Sequence, residues 1–246
     1  MKRYLPLLVV LMVFIPGILH AQGIPTISLG IGQAENPEQV STALQIVLLL
    51  TVISVAPAIL LMTTGFVRIV IVLSFVRQAM GTQQMPPNQV VVGLALFLTI
   101  FVMSPVFQKM NDQALQPYLN KKISQEQAIT EAIQPMREFM FAQTSEKELG
   151  MLIEISGGEM PKNQDDVSTM ALIPAFMLSE LKRAFQIGFM IFIPFLVIDM
   201  LVASILMAMG MMMLPPVIIS LPFKLLLFVL VDGWPLVVGN LVKSFH

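Results

Sequence analysis

The chain has 246 residues, of which 56% are hydrophobic and only 12% charged, and its formal net charge at neutral pH is −1. A charged fraction about half the ~25% of soluble domains, together with a mean hydropathy of +0.83, indicates a membrane or membrane-associated protein. The chain has no cysteine, and its only histidines are His20 and His246, so Cys-based metal sites, disulfides, Cys nucleophiles and Ser–His catalysis are excluded, and the lack of basic excess argues against nucleic acid binding.

Residues 1–21 have the features of a secretory signal peptide. Two basic residues precede an uncharged stretch over residues 4–19, and Ala21 offers the small residue of a cleavage site. The alternative is an uncleaved first transmembrane helix, against which the short length and a Pro-Gly pair near its end count. Cleavage would leave residues 22–42 as an extracytoplasmic N-terminal segment.

Two uncharged runs predict a first helical hairpin over residues 43–107. The first run, Ala43 to Met62, continues in apolar character to Val76 with Arg68 as its only charge. A polar turn follows, and the second run extends from Val90 to Phe107. Each run approaches the ~20 residues that cross a hydrocarbon core.

Residues 108–170 differ in kind, because they contain ten of the 15 acidic residues and six of the 14 basic ones. Ser124-x-x-Gln127 and Ser145-x-x-Glu148 fit the capping box of a helix start. Pro135 is expected to kink or divide the helix that follows the first of these boxes. This segment is predicted to be a small water-facing helical insert, too short to be an enzyme in its own right.

Residues 171–246 predict a second helical hairpin with a short tail. From Phe185 to Pro216 the only charge is Asp199, and Val217 to Val231 is apolar around Lys224. The turn is expected at Met213-Leu214-Pro215-Pro216, since proline breaks a helix. The predicted fold is therefore all-α: two long apolar helical hairpins with a small helical extracytoplasmic insert between them.

The predicted signal peptide also sets a topology. Cleavage puts residue 22 outside the cytoplasm, so the turn of the first hairpin, with Arg77, faces the cytoplasm, in agreement with the positive-inside rule. The insert 108–170 then lies on the extracytoplasmic side, which is consistent with its acidic balance.

Charges inside the apolar segments are candidate functional residues. An ionisable residue in hydrocarbon costs roughly 2.5–3.5 kcal/mol, so each should face protein or water and find a partner. Glu180 or Asp199 could pair with Lys224 or Arg68, within a subunit or between subunits. Lys182 and Arg183 are instead expected to snorkel from helix ends, and Asp232 is open to either explanation.

Two other interpretations use the same carboxylates. An intramembrane aspartyl protease needs two carboxylates that share a proton, and Asp232 lacks the Gly-x-Gly-Asp setting of such enzymes. A small ion channel or transporter could line its path with Asp199 or Glu180. We expect no enzymatic activity and no cofactor or metal.

Methionine is concentrated at the tip of the second hairpin. Six of the 20 methionines fall within 14 residues, next to Gly210 and two prolines: Met200, Met207, Met209, Met211, Met212 and Met213. Unbranched, polarizable thioethers form an apolar surface that can repack around varied partners. A helix through this run would put Met209 and Met213 on one face. The alternatives left open are a deformable constriction and plain space-filling.

Four segments carry a family resemblance. They are Arg68–Arg77 (RIVIVLSFVR), Gly81–Gln89 (GTQQMPPNQ), Pro174–Gly188 (PAFMLSELKRAFQIG) and Pro194–Met200 (PFLVIDM). Together they resemble the FliP/SctR family of type III export-gate proteins. The signal peptide and the methionine run favour the flagellar branch over the virulence-secretion branch.

The resemblance implies a role in flagellar protein export. Members of this family are inner-membrane proteins of the flagellar basal body, and several copies assemble with FliQ and FliR into a closed helical gate, beside FlhA and FlhB. Unfolded flagellar subunits pass through its centre, and the hairpins pack as a tilted cone displaced toward the periplasm. The resemblance gives Met209, Met211, Met212 and Met213 the role of a gasket. It also makes buried Arg68, Asp199 and Lys224 easier to accommodate, because protein neighbours replace lipid.

Overall fold

The computed structural model describes residues 37–82, 85–157, 161, 163–211 and 213–245, with side chains from residue 44 onward. Every regular element in these ranges is a helix, which confirms the all-α prediction. The helices are α1 (Pro37–Met62), α2 (Phe66–Ala79), α3 (Asn88–Met110), α4 (Gln116–Leu119), α5 (Gln125–Gln143), α6 (Glu146–Ile155), α7 (Thr169–Ala208), α8 (Pro216–Leu230) and α9 (Gly233–Lys243). The predicted signal peptide and residues 22–36 lie outside the described residues.

Among the described residues, three stretches of helix are long and apolar enough to cross a membrane: Leu44–Met62, Asn88–Leu119 and Thr169–Ala208. The pair α8 and α9, bent by 64°, meets the same criterion when its two helices are taken together. The chain divides into two compact units, residues 1–51 and 52–246, and the first is described only through its part of α1. The charge clusters and the methionine turn all belong to the second unit.

The second unit is built around α2, a 14-residue helix whose inner face is fully buried. Ile69, Val72, Leu73 and Val76 are at most 1% exposed and form its core with residues of α3, α7, α8 and α9. Helix α2 packs most extensively along α7 and also against α3. Gly188 allows α7 to approach α2 closely, since a Cβ there would lie 2.5 Å from Phe75 Cδ2.

The first apolar run is divided in the structure, because α1 ends at Met62 and α2 begins at Phe66. The hydroxyl of Thr63 donates to the carbonyl of Ile59, and the hydroxyl of Thr64 to that of Leu61, so both threonines turn back on the preceding helix. Gly65 follows, and a Cβ there would lie 2.7 Å from the ring of Phe245. The C-terminal residues therefore pack directly against this break.

The second helix of the first hairpin extends further than the apolar run predicts. Helix α3 continues through a π-helical turn, Asn111–Leu115, into α4. Pro117 lies just beyond that turn and has no N–H to donate, which accounts for the local departure from α-helical hydrogen bonding. The helical part of the insert then packs through α5 against α3 and the π-helical turn.

Of the two capping boxes expected in the insert, the structure confirms the first. The capping box at Ser124 forms, with Gln127 N–H donating to Ser124 Oγ (3.2 Å) and Ser124 N–H donating to Gln127 Oε1 (3.1 Å). Ser145 is likewise the residue before α6, but its side chain makes no capping bond; its N–H donates to Ser179 Oγ (3.0 Å), and Glu148 accepts from Lys182. Pro135 does not divide α5, which continues from Gln125 to Gln143 around it.

The second hairpin turns earlier than its prolines indicate. Helix α7 is 40 residues long and ends at Ala208, and Gly210 follows with φ +76°. Gly210 N–H donates to Met207 O and Met211 N–H to Leu206 O, so a left-handed glycine ends the helix through main-chain bonds. Pro216 then occupies the first position of α8, where its missing N–H has no cost.

A sharp corner separates α8 from α9. Asp232 has the left-handed φ of +50°, and the next residue, Gly233, lies where a Cβ would be 2.3 Å from Phe228 Cε2. The rings of Phe228 and Trp234 meet edge to face across the corner, with centroids 5.4 Å apart. This corner folds α9 back so that the C-terminal residues reach α2.

Candidate functional site

The charge that the first hairpin buries is at the centre of a polar cluster. Arg68 on α2 is 0% exposed, and its guanidinium forms a bidentate pair with Glu180 on α7: Nε donates to Oε2 at 2.9 Å and Nη2 to Oε1. Nη1 donates to both the carbonyl (2.8 Å) and the hydroxyl (3.0 Å) of Ser244. Nη2 also donates to Gln143 Oε1 at 2.8 Å. All five N–H donors of the guanidinium are thereby used.

Neighbouring side chains extend this cluster to the insert and the C-terminus. The guanidinium carbon of Arg68 lies 3.9 Å from the centroid of the Phe245 ring. Gln143 at the end of α5 donates to Phe245 O (3.0 Å) and accepts from Arg183 Nη1 (2.7 Å). One buried cluster therefore ties α2, α5, α7 and the residues after α9 together.

The second charge cluster lies at the middle of the second hairpin. Lys224 on α8 is 3% exposed, and its Nζ donates to Asp199 Oδ2 on α7 at 2.6 Å. Ser220, one helical turn before Lys224, donates its hydroxyl to the other carboxylate oxygen of Asp199. Lys224 Nζ also lies 3.7 Å from the position that a Cβ on Gly81 would occupy. The pair thus joins α7 to α8 close to Gly81, just after the end of α2.

The structure therefore brings the four charges together as two pairs within one chain, Arg68 with Glu180 and Asp199 with Lys224. Sequence reasoning left both the partners and the choice between one subunit and two open. Glu180 and Asp199 are 19 residues apart on one helix, about 28 Å at 1.5 Å per residue, so the two clusters are separate.

Lys182 and Arg183 were expected to snorkel from helix ends, but both lie more than three helical turns inside α7. Arg183 reaches Gln143, and Lys182 Nζ donates to Glu148 Oε1 on α6 at 2.8 Å. That hydrogen bond lowers the pKa of Glu148 to about 2. Because no end of α7 lies near them, these two side chains form hydrogen bonds with residues of the insert instead.

The methionine turn is defined as residues 209–213, and its described residues are exposed and lie outside α7 and α8. Met209 is 56% exposed, Met211 45% and Met213 98%, while Met212 lies outside the described residues. The expected shared helix face of Met209 and Met213 is wrong, because α7 ends at Ala208 and Gly210 reverses the chain between them. The turn connects α7 to α8. Ala208, the last residue of α7, lies about 14 Å from Asp199 along the helix axis.

Sequence reasoning missed the uncharged members of the first cluster. Gln143 and Ser244 supply bonds that satisfy Arg68, yet a lone glutamine or serine near a helix end has nothing unusual in its sequence context. Arg183 next to Lys182 was a signal for polar contacts on this face of α7. Within the described ranges, no group of three or more metal-ligating Asp, Glu or His side chains is present.

Comparison with known proteins identifies relatives along almost the whole chain. The sequence profile of the FliP family matches residues 49–241, which include both charge clusters and the methionine turn. The flagellar biosynthetic protein FliP of Bacillus subtilis (strain 168) is 57% identical over 217 residues, 88% of this chain and 98% of the relative. That of Caulobacter vibrioides is 49% identical over 94% of this chain and 85% of the relative. That of Agrobacterium fabrum is 46% identical over the full length of both.

Proposed function

This chain belongs to the FliP family, and on that premise we propose that it is a core subunit of the flagellar type III export gate, part of the channel through which unfolded flagellar proteins are secreted. The family is a component of flagellar protein export, and its apolar helices agree with a place in the inner membrane of the flagellar basal body. The role is structural, and no catalytic step is assigned to any residue.

The proposed assembly is a closed helical or ring-like homo-oligomer with FliQ and FliR, beside FlhA and FlhB, with the insert 108–170 on the periplasmic side. Large apolar side chains on the outer faces of α3 and α7 support it. Phe97, Phe101 and Phe189 are each more than 60% exposed, and surfaces of this kind need lipid or protein neighbours. The acidic surface of the insert supports a water-facing position.

The observation that carries the proposal is the exposed methionine turn within the region that matches the family. We assign Met209, Met211, Met212 and Met213 to a gasket around the narrow point of the channel. Flexible thioethers can pack closely in the closed gate and yield to a passing polypeptide of any sequence, because they make no geometry-specific bonds.

The charge pairs have a bracing role in this proposal. The contacts of Arg68 with Glu180, and of Lys224 with Asp199, would hold the helices that present the methionine turn. They also disfavour the ion-channel alternative, because both carboxylates already have a cationic partner and neither is free to bind a passing ion.

The test combines secretion with ion leak. Deletion of the gene is expected to abolish secretion of hook and filament subunits, and replacement of the four gasket methionines by Ala is expected to leave assembly intact but raise ion leak through the assembled gate. Secretion that continues unimpaired in the deletion strain would contradict the export function. An unchanged leak in the Ala variant would contradict the gasket alone.

A further inference from the structure

The methionines with described side chains differ widely in accessibility within the single chain. Met209, Met211 and Met213 are 45–98% exposed, whereas Met103 is 0% and Met140 2% exposed. In the single chain, small solutes can reach the first three side chains, whereas the last two lie inside packed helices. Accessibility governs the rate at which thioethers are oxidised, since the reagent must contact sulfur.

Main-chain hydrogen bonds hold the described residues of the turn. Gly210 N–H donates to Met207 O at 3.0 Å, Met211 N–H to Leu206 O at 2.9 Å and Leu214 N–H to Met211 O at 3.4 Å. These bonds use main-chain atoms only. A chemical change at sulfur would therefore alter the polarity of the turn and leave its backbone bonds in place.

We propose that the methionine turn is an oxidation site through which hydroperoxides loosen the closed gate, an inference that rests on the gasket role proposed above. Thioether sulfur attacks one oxygen of the peroxide, the O–O bond breaks and an S–O bond forms. With hydrogen peroxide, the other oxygen leaves as water, because it takes up the proton of the oxygen that is transferred to sulfur. Sulfur is oxidised by two electrons to the sulfoxide and the peroxide is reduced by two.

The consequence follows from the polarity of the product. A sulfoxide is polar and attracts water, so a ring of sulfoxides would hydrate a constriction that closes by excluding water. The change is reversible, because the two classes of methionine sulfoxide reductase each reduce one sulfoxide epimer back to the thioether. The ion leak through the closed gate would then depend on the concentration of oxidant around the turn.

The experiment uses the complete gate reconstituted in vesicles and treated with hydrogen peroxide. Peptide mass spectrometry measures sulfoxide at each methionine while dye or ion leak is recorded. We expect Met209, Met211 and Met213 to oxidise at least about tenfold faster than Met103 and Met140, and leak to rise several-fold as they do. Treatment with both reductases should return the leak to its starting value.

Two variants make the result specific. Leucine is apolar, similar in volume and without sulfur, so M209L/M211L/M212L/M213L is expected to show the same leak before and after peroxide, each compared with its own untreated sample. Met170→Leu is the matched control, because Met170 is 84% exposed at the start of α7 and away from the turn. Its leak should rise with peroxide as in the parent protein.

The outcomes separate this inference from the proposed function. Sulfoxide at the turn without added leak, or a turn that resists peroxide in the assembled gate, overturns the oxidation site, while the leak of the Ala variant still supports the gasket. A peroxide leak that persists in the four-fold Leu variant also overturns it. If the Ala variant itself does not leak, the gasket fails and the inference fails with it.

Discussion

The two ends of α7 satisfy opposite physical requirements. Near its N-terminal third, Glu180 pairs with an arginine whose five donors are all bonded, in a site from which water is excluded. At its C-terminal end, the methionine turn exposes apolar side chains. A buried ion pair is stable in one geometry only, whereas thioethers pack in many.

This contrast explains how one chain can be both rigid and yielding. The cluster around Arg68 fixes the relative positions of α2, α5, α7 and the C-terminal residues, because each bond in it is directional. The methionine turn lies beyond that cluster on the same helix and has main-chain bonds of its own. A deformable contact is useful at a gate only if the helix that presents it does not move as well.

The largest expected effect comes from breaking the rigid end. Glu180→Ala would leave the guanidinium of Arg68 buried without its counter-ion, which costs about 3–5 kcal/mol of unfolding free energy. We expect a large fall in the thermal midpoint of the protein in detergent and poor recovery of folded material.

The double variant R68M/E180L sharpens this result. It removes both charges and fills the site with apolar side chains, so we expect a smaller loss of stability than for either single change. If Glu180→Ala melts like the parent protein, the pair does not hold the helices together.

A smaller loss is expected from the second pair. Lys224→Met would leave Asp199 with only the hydroxyl of Ser220, but that carboxylate is 27% exposed and water can solvate it. The cost should therefore be about 1–3 kcal/mol, with reduced recovery of the oligomer.

A double-mutant cycle with Asp199→Asn tests whether the pair acts within one subunit. The measurement is the unfolding free energy of the isolated subunit, and the two changes together should cost less than the sum of their separate effects. Additive losses in the isolated subunit, with coupling seen only in the oligomer, would show that Lys224 acts between subunits.

Disturbing the packing between α2 and α7 is expected to cost a similar or smaller amount of unfolding free energy than breaking the second pair. Gly188→Ala would place a methyl group about 2.5 Å from the ring of Phe75, so the helices must separate at a cost of about 1–3 kcal/mol. Gly93→Ala in α3 is the matched control, because nothing lies within 4 Å of the added methyl group. There the better helix propensity of alanine should raise stability by up to about 1 kcal/mol. Equal melting shifts for the two variants would exclude close helix contact at Gly188.

The sequence was sufficient to predict the helical class and the presence of costly buried charges, because both depend on composition and local pattern. It was not sufficient to choose partners. Arg68 and Glu180 are 112 residues apart, and either acidic residue could have paired with either basic one. Gln143 gave no signal, since only the folded chain shows that Arg68 has a donor left over for it.

Helix ends were predicted well where a side chain sets them and poorly where the backbone does. Ser124 and Gln127 encode their cap in a short pattern, and it forms. The end of α7 depends on Gly210 at positive φ. Because methionines on both sides of Gly210 continue the apolar pattern, the prolines were the clearer break in the sequence, and the turn was predicted too close to them. At Ser145 tertiary contacts stand in place of the local cap, since its N–H donates to Ser179 Oγ and Glu148 accepts from Lys182.

The smallest expected effect concerns the contact of α6 with α7, which depends on pH. The hydrogen bond from Lys182 lowers the pKa of Glu148 from 4.5 to about 2, so the folded state favours the charged carboxylate. The stabilisation is complete above pH 4.5 and is lost as pH falls through 2, because protonation is then easier in the unfolded segment. Hydrogen exchange of the α6 amides should therefore show protection, corrected for the intrinsic exchange rate at each pH, that declines as the solution is acidified within this window. Glu148→Gln keeps the shape of the side chain without its titration, so its protection should be lower at neutral pH and nearly constant across the window. A parallel decline in both proteins would assign the acid sensitivity of α6 to another group.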